Sequence, residues 1–230
     1  ENMFSEGTVS KKRFSISVPR ASYVTDAFAK FSKLLDKNSE IELFYKETNS
    51  MRTIKNLLTE DYKLGIIRYA ENYDKYYKSM MDEKGIDYEL ITEFHYVLIM
   101  NEDSPLAAKE NITYSDLHDC IEIAHADPYV PSLPFAAVKK EELPDNSNRR
   151  IFVFERGSQF ELLAQNPETF MWVSPIPQAL LSRYGLVQRN CDENKRMYKD
   201  VLIHRKEYAL TDLDNLFIEE LIKAKREIFG

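Results

Sequence analysis

The sequence is short of the residues and patterns that usually carry chemistry. Its 230 residues include only two cysteines, Cys120 and Cys191, and these form no CxxC pair. Two thiols make no disulfide framework, so a reducing compartment, the cytoplasm, is expected, with both thiols buried. The six glycines build neither GxGxxG nor GxxxxGK[ST], which excludes the common phosphate loops. No HExxH occurs, and His95, His118, His125 and His204 lack metal-ligand spacing. No GxSxG nucleophile elbow is present. Hence no metal, no cofactor and no catalytic residue is expected.

Positive charge is also scarce. Lysine and arginine number 31 against 38 acidic residues, a formal net charge of −7. This chain by itself therefore has no broad basic face for nucleic acid. No apolar run approaches a membrane span, and the N-terminal tract lacks the basic-then-apolar order of a signal peptide. The balance of 43% hydrophobic and 30% charged residues is that of an ordinary globular protein. The length allows two modest lobes or one large domain.

The stretch that organises the rest is residues 14–35. Phe14, Ile16 and Val18 alternate with Ser15 and Ser17, a strand period that Pro19 ends. Val24, Ala27, Phe28, Phe31 and Leu35 then share one helical face, with Ser22 as the expected cap. Residues 41–46 predict a second strand, Ser50 the cap of a helix over 51–58, and residues 64–69 a third strand ending near Arg68. In such a β-α-β-α-β run, Arg20, Thr48 to Ser50 and Arg68 fall at successive strand carboxyl ends. That rim is where ligands bind in open α/β sheets. Two rim arginines suit a carboxylate or phosphate. Equally, each can pair with a local acid such as Asp26, Glu47 or Glu71.

Farther on, Tyr73, Tyr76, Tyr77 and Met80 have the spacing of a core-facing helical stripe. Residues 88–101 read as one long strand containing a packed His95. Thr113 or Ser115 can cap a short helix through Leu117. Strands are predicted over 120–124, 151–155, 169–175 and 201–205, and helices over 132–142, from Gly157 and over 176–183. Residues 190–200 read as a charged surface turn. Thr211 with Asp214 forms a capping-box pattern before a final helix. Glu93 with His95, or His125 with Asp127, can make a proton-transfer pair, although packing is the commoner role of such short spacings.

The order of these phrases resembles the effector-binding domain of LysR-type transcriptional regulators. RASYVTDAFAKF, IELFYKETNSMRTIKNLL and KLGIIRY carry it in the first block. VLIMNEDSPLAAKENITYSDL, FVFERGSQFELLAQN and MWVSPIPQAL carry it in the second. The resemblance spans about residues 14–228. It departs from the family where HPLA is replaced by Ser104-Pro105-Leu106-Ala107, and where a Gly-rich turn is replaced by Ala164-Gln165-Asn166-Pro167.

The resemblance implies an α/β, type 2 periplasmic-binding-protein-like fold, two Rossmann-like lobes joined by two crossover strands near 95–101 and 198–204. Residues 14–96 plus 199–230 would form lobe I, 97–198 lobe II, and 1–13 the end of an interdomain linker. A small effector, anionic by the rim arginines, would sit between the lobes. It would touch Arg20, Ser22, Tyr23, Thr48, Asn49, Ser50 and Arg68 from lobe I, and His125, Asp127, Phe154 and Glu155 from lobe II. The domain would self-associate as a dimer or tetramer, with the helix at 22–35 on a neighbour's second lobe. DNA would be contacted only through a winged helix-turn-helix upstream of residue 1. Two rivals share the fold: an extracytoplasmic solute-binding protein, and an enzyme such as a dehydratase using His125 with Asp127 or Glu155.

Overall fold

The structure, a computed structural model, describes residues 11–125 and 147–230. The expected helix over 132–142 and Asp127 lie outside these. The first sheet begins with β1 (Lys12–Val18), β2 (Ile41–Glu47) and β3 (Leu64–Ala70). Their helices are α1 (Ser22–Ser32), α2 (Ser50–Thr59) and, after a short 3-10 turn, α3 (Asp74–Glu83). β4 (Ile86–Phe94) completes the first pass. The second sheet takes β5 (Val97–Asn101), β6 (Ile121–His125), β7 (Arg149–Val153), β8 (Thr169–Val173) and β9 (Leu186–Arg189). With them go α4 (Tyr114–Leu117), α5 (Arg156–Gln165) and α6 (Gln178–Tyr184). β10 (Tyr198–Arg205) and α7 (Asp212–Phe229) close the chain.

The strand orders are β2-β1-β3-β10-β4 and β7-β6-β8-β5-β9. In the first sheet β1 runs parallel to β2 and β3, and β10 runs antiparallel to β3 and β4. In the second, β6 is parallel to β7 and β8, and β5 is antiparallel to β8 and β9. The two sheets thus repeat one plan: three parallel strands, then one antiparallel strand, then an edge strand antiparallel to that one. No close sequence repeat accompanies this topological one. The chain leaves the first sheet between Phe94 and Val97 and returns between Arg189 and Tyr198.

Two expectations about strands are corrected here. The stretch 88–101 is not one strand: it breaks at His95-Tyr96 and its halves serve different sheets. His95 is exposed, not packed, and its Nδ1 lies 2.9 Å from the Arg196 carbonyl on the returning segment. The supposed surface turn over 190–200 ends inside β10, which starts at Tyr198.

Each sheet is covered on both faces. Phe14, Ile16, Phe31 and Ile66 pack with Phe217 and Leu221 under α1 and α7. The Phe14 ring lies 4.9 Å from Phe31 and 5.3 Å from Phe217. On the opposite face, Ile54, Leu57, Tyr77 and Met81 cover Ile67 and Val201. Of the expected tyrosine stripe, Tyr77 is buried while Tyr76 is 39% exposed. Gly65 lets α2 approach the sheet, since a Cβ there would stand 2.8 Å from Thr53 Cγ2 and 3.0 Å from Ile203 Cγ1. In the second lobe, Leu163, Leu181 and Met171 form one core layer, and Leu98, Leu117 and Phe170 the other. Gly185 ends α6 at φ 62°, the left-handed conformation that glycine adopts without a Cβ penalty.

The capping expectations divide by locality. Thr113 and Thr211 form complete capping boxes with Asp116 and Asp214. Ser22 and Ser50 are not caps, because each helix starts one residue earlier than expected. Ala21 and Asn49 hold the extended N-cap conformation, and only Asn49 bonds through its side chain, accepting the Arg52 N–H at 2.9 Å. The two serine hydroxyls are released for other partners.

Candidate functional site

The carboxyl ends of β1, β2 and β3 meet those of β7 and β8, and two arginines span the meeting. Arg68, third from the end of β3, grips Asp200 of β10 as a fork. Nε donates to Oδ1 at 2.7 Å and Nη2 to Oδ2 at 2.8 Å. Nη2 also donates to Ser174 Oγ at 3.0 Å, across to the end of β8. The guanidinium lies 4.4 Å from the Phe94 ring centroid. Burial opposes the Arg68 charge, but the Asp200 carboxylate outweighs it and raises the pKa above the usual arginine value. Tyr23, fully buried, donates to Asp200 Oδ2 at 2.6 Å. Burial first, then the Asp200 charge, pushes its phenol well above the ordinary range.

The second spanning arginine is Arg156, the first residue of α5. Nη2 donates to Ser22 Oγ, and Nη1 reaches Thr25 Oγ1 at 3.5 Å. Thr25 Oγ1 lies 3.0 Å from the Tyr45 hydroxyl. Nε faces Glu47 Oε2 at 3.6 Å, and among the described residues neither atom has a hydrogen-bond partner although both are buried. Burial holds the Arg156 pKa below its ordinary value, against the pull of Glu47. Burial likewise raises the Glu47 carboxyl, with Arg156 and Arg20 opposing and Glu155 assisting.

The sequence-derived residues fall into three groups. Thr48, Asn49 and Ser50 stitch the sheet edge together. The Thr48 N–H donates to the Val18 carbonyl at 2.9 Å, and Ser50 Oγ donates to the Arg68 carbonyl at 2.6 Å while accepting the Arg68 N–H at 3.0 Å. Arg20, Ser22, Tyr23 and Arg68 gather where the lobes meet, with Tyr23 and Arg68 committed to Asp200. From lobe II, His125 ends β6, Glu155 is the exposed N-cap of α5, and the Phe154 side chain is 73% exposed. Asp127 lies outside the described residues.

Sequence reasoning did not single out Asp200 or Arg156. Tyr198 and Asp200 continue the inward period of Leu202, a signal that would have extended the strand over them. Arg156 carries no such signal. No group of three or more His, Cys, Asp or Glu residues able to hold a metal occurs among the described residues, and no helix among them is long and apolar enough to cross a membrane. A separate opening of about 470 Å³ lies between α6, β9 and the end of α7, and none of the sequence-derived residues lines it.

No protein-family model matches the sequence, and no curated protein matches it. Solved structures do match over nearly the whole chain. The effector-binding domain of QuiR, solved in complex with shikimate, is 19% identical with a TM-score of 0.58, covering 96% of this chain and 100% of that one. The regulatory domain of MetR, a LysR family regulator from N. meningitidis, is 18% identical with a TM-score of 0.59, over 95% and 96% of the two chains. The regulatory domain of CcmR from Synechocystis PCC6803, in complex with 2-PG, is 17% identical with a TM-score of 0.63, over 94% and 98%. The fold of this chain is therefore that of LysR regulatory domains, the two-lobed type 2 periplasmic-binding-protein-like fold.

Proposed function

We propose that the chain is the effector-sensing domain of a LysR-type transcriptional regulator. It binds a small anionic molecule between its lobes, and DNA is contacted by a segment outside these 230 residues. Lobe I is 14–96 with 199–230 and lobe II is 97–198, except that Lys12 and Arg13 belong to β1 and Tyr198 to β10, both in lobe I, which leaves the linker the residues before Lys12. The protein works in the cytoplasm as a homo-oligomer and not as an enzyme.

The observation that carries this reading is the meeting of strand carboxyl ends across Arg68–Ser174 and Arg156–Ser22. These contacts are polar and cross from lobe to lobe, so a ligand that replaces them changes the angle between lobes. Such a change alters how subunits pack and how an attached DNA-binding segment is placed. The neighbours that bind shikimate and 2-PG share the architecture and lend support by analogy.

The test is a thermal-shift screen of the purified chain against small carboxylates, amino acids and phosphorylated metabolites, followed by small-angle scattering with any hit. A ligand at 100 times its Kd adds about 2.7 kcal/mol. A hit that also changes the radius of gyration supports the reading. A flat screen over these classes, or hits without any change in lobe geometry, counts against it.

A further inference from the structure

The two spanning arginines present the same edge of the guanidinium but differ in what fills it. On Arg68 the Nε and Nη2 pair closes on both Asp200 oxygens. That is the full bidentate fork, and no further carboxylate can take it. On Arg156 the corresponding pair is half used. Among the described residues, Nη2 holds only the Ser22 hydroxyl, and Nε looks at Glu47 from 3.6 Å without a hydrogen bond.

Three further features mark the Arg156 edge as the place where a carboxylate gains most. Ser22 opens α1, an 11-residue helix whose first turn has no side-chain cap, so the positive end of its dipole is aimed there. Thr25 Oγ1, one turn on, stands within reach of Nη1. Glu47, the resting counter-ion, is itself poorly served, because its buried Oε2 has no hydrogen bond among the described residues. Exchange of Glu47 for a better-placed carboxylate therefore satisfies the Nε donor and lets Glu47 turn outward, whereas exchange at Arg68 would strand Asp200, whose side chain is 0% exposed.

We infer that Arg156, and not Arg68, is the arginine that receives the effector, and that the effector class is a carboxylate taken in a fork by Nε and Nη2 beside Ser22. This rests on the sensor reading of the same cleft. Arg68 then acts as a fixed strut, and Arg156 is the exchangeable contact that a ligand takes over from Glu47.

The experiment uses sodium acetate as the probe, with sodium chloride compensating ionic strength. The arginine Nε–H signals are followed in ¹H–¹⁵N spectra and melting temperature is read in parallel. Acetate is expected to move the Arg156 signal saturably and leave the Arg68 signal in place. Its stabilising effect should weaken about tenfold or more in Arg156→Lys, which keeps the charge but loses the fork, and vanish in Arg156→Gln. An unchanged Arg68 signal certifies that these variants are folded. If Arg156→Gln does not fold, the parent spectra and Arg156→Lys decide alone.

Movement of both signals together, no movement of Arg156, or acetate stabilisation that survives in Arg156→Lys overturns the assignment. A metabolite from the screen that binds Arg156→Lys as tightly as the parent also overturns it, while leaving the sensor reading intact. Acetate titrating Arg156 alongside a flat metabolite screen upholds the carboxylate fork at Arg156 and removes the sensor reading, and with it the effector role, instead.

Discussion

Arg68 and Asp200, 132 residues apart in sequence, are joined by two hydrogen bonds of 2.7 and 2.8 Å. Their side chains are 9% and 0% exposed. The pair ties β3 to the returning strand β10, and through Tyr23 and Ser174 it also ties in α1 and β8. It is a structural joint at the point where ligand contact is expected from sequence.

The joint sets a stability prediction. Removing one member of a buried ion pair costs about 3–5 kcal/mol, because the other charge is left uncompensated. Arg68→Met should lose that much in urea denaturation. A triple change, Arg68→Met with Asp200→Leu and Tyr23→Phe, should recover more than half of it, since no buried charge is then left uncompensated and, of the joint's hydroxyls, only Ser174 loses its Arg68 donor. A loss below about 1 kcal/mol for Arg68→Met alone would contradict the structural role.

How much could be read from sequence follows from how far each interaction reaches along the chain. The opening strand, its helix and the final helix were legible because their periods and the Thr211–Asp214 box are local. The break at His95-Tyr96 is hidden because strand-forming residues run up to it from both sides with no glycine or proline between, and the one mark of a change of sheet is the passage from the mixed IDYELITEF of β4 to the apolar VLIM of β5. The partners of the rim residues were not legible. Arg68 chooses Asp200, and Arg156 chooses Ser22 from 134 positions away, and no short pattern encodes such pairings. Strand periods locate the carboxyl ends of β1 and β3, but no local pattern tells which partner an arginine at such an end takes.

The cap correction makes a second prediction. Asn49 accepts the Arg52 N–H, so Asn49→Ala should cost about 1 kcal/mol through the loss of an N-cap. Ser50→Ala removes a different thing: the hydroxyl that bridges the Arg68 carbonyl and N–H. Amide hydrogen exchange separates the two. Asn49→Ala should speed exchange in the first turn of α2, and Ser50→Ala should speed it at Arg68. Equal patterns in both variants would mean that the helix start is misassigned.

Gly65 gives a third. A methyl group there meets Thr53 Cγ2 at 2.8 Å and Ile203 Cγ1 at 3.0 Å, between a sheet and a helix that pack on each other. Gly65→Ala should destabilise by about 1–3 kcal/mol, the usual cost of overpacking. Thr53→Ser removes the clashing methyl and keeps the hydroxyl that contacts Ser17 Oγ at 3.0 Å. The double variant should therefore be more stable than Gly65→Ala alone. If Thr53→Ser only adds its own loss, the contact between α2 and β3 is looser than described.

Glu122 in β6 gives a prediction in pH. It is 1% exposed, its Oε2 accepts from Arg150 Nε at 2.6 Å, and its Oε1 makes no hydrogen bond among the described residues. Burial raises its carboxyl above the ordinary 4.5, with Arg150 pulling the other way. A raised native pKa means that the folded state holds the proton to higher pH than the unfolded chain. The group's contribution to stability is then greatest below the unfolded pKa and declines as pH rises through the native value. Glu122→Gln removes that titration while keeping an acceptor for Arg150. The fall in melting temperature between about pH 4.5 and about pH 7.5 should be smaller in Glu122→Gln than in the parent, measured as the difference between their two curves. Parallel curves over that interval would mean that Arg150 fully offsets the burial. A steeper fall in the variant would mean that the native pKa is depressed and the carboxylate is a net stabiliser.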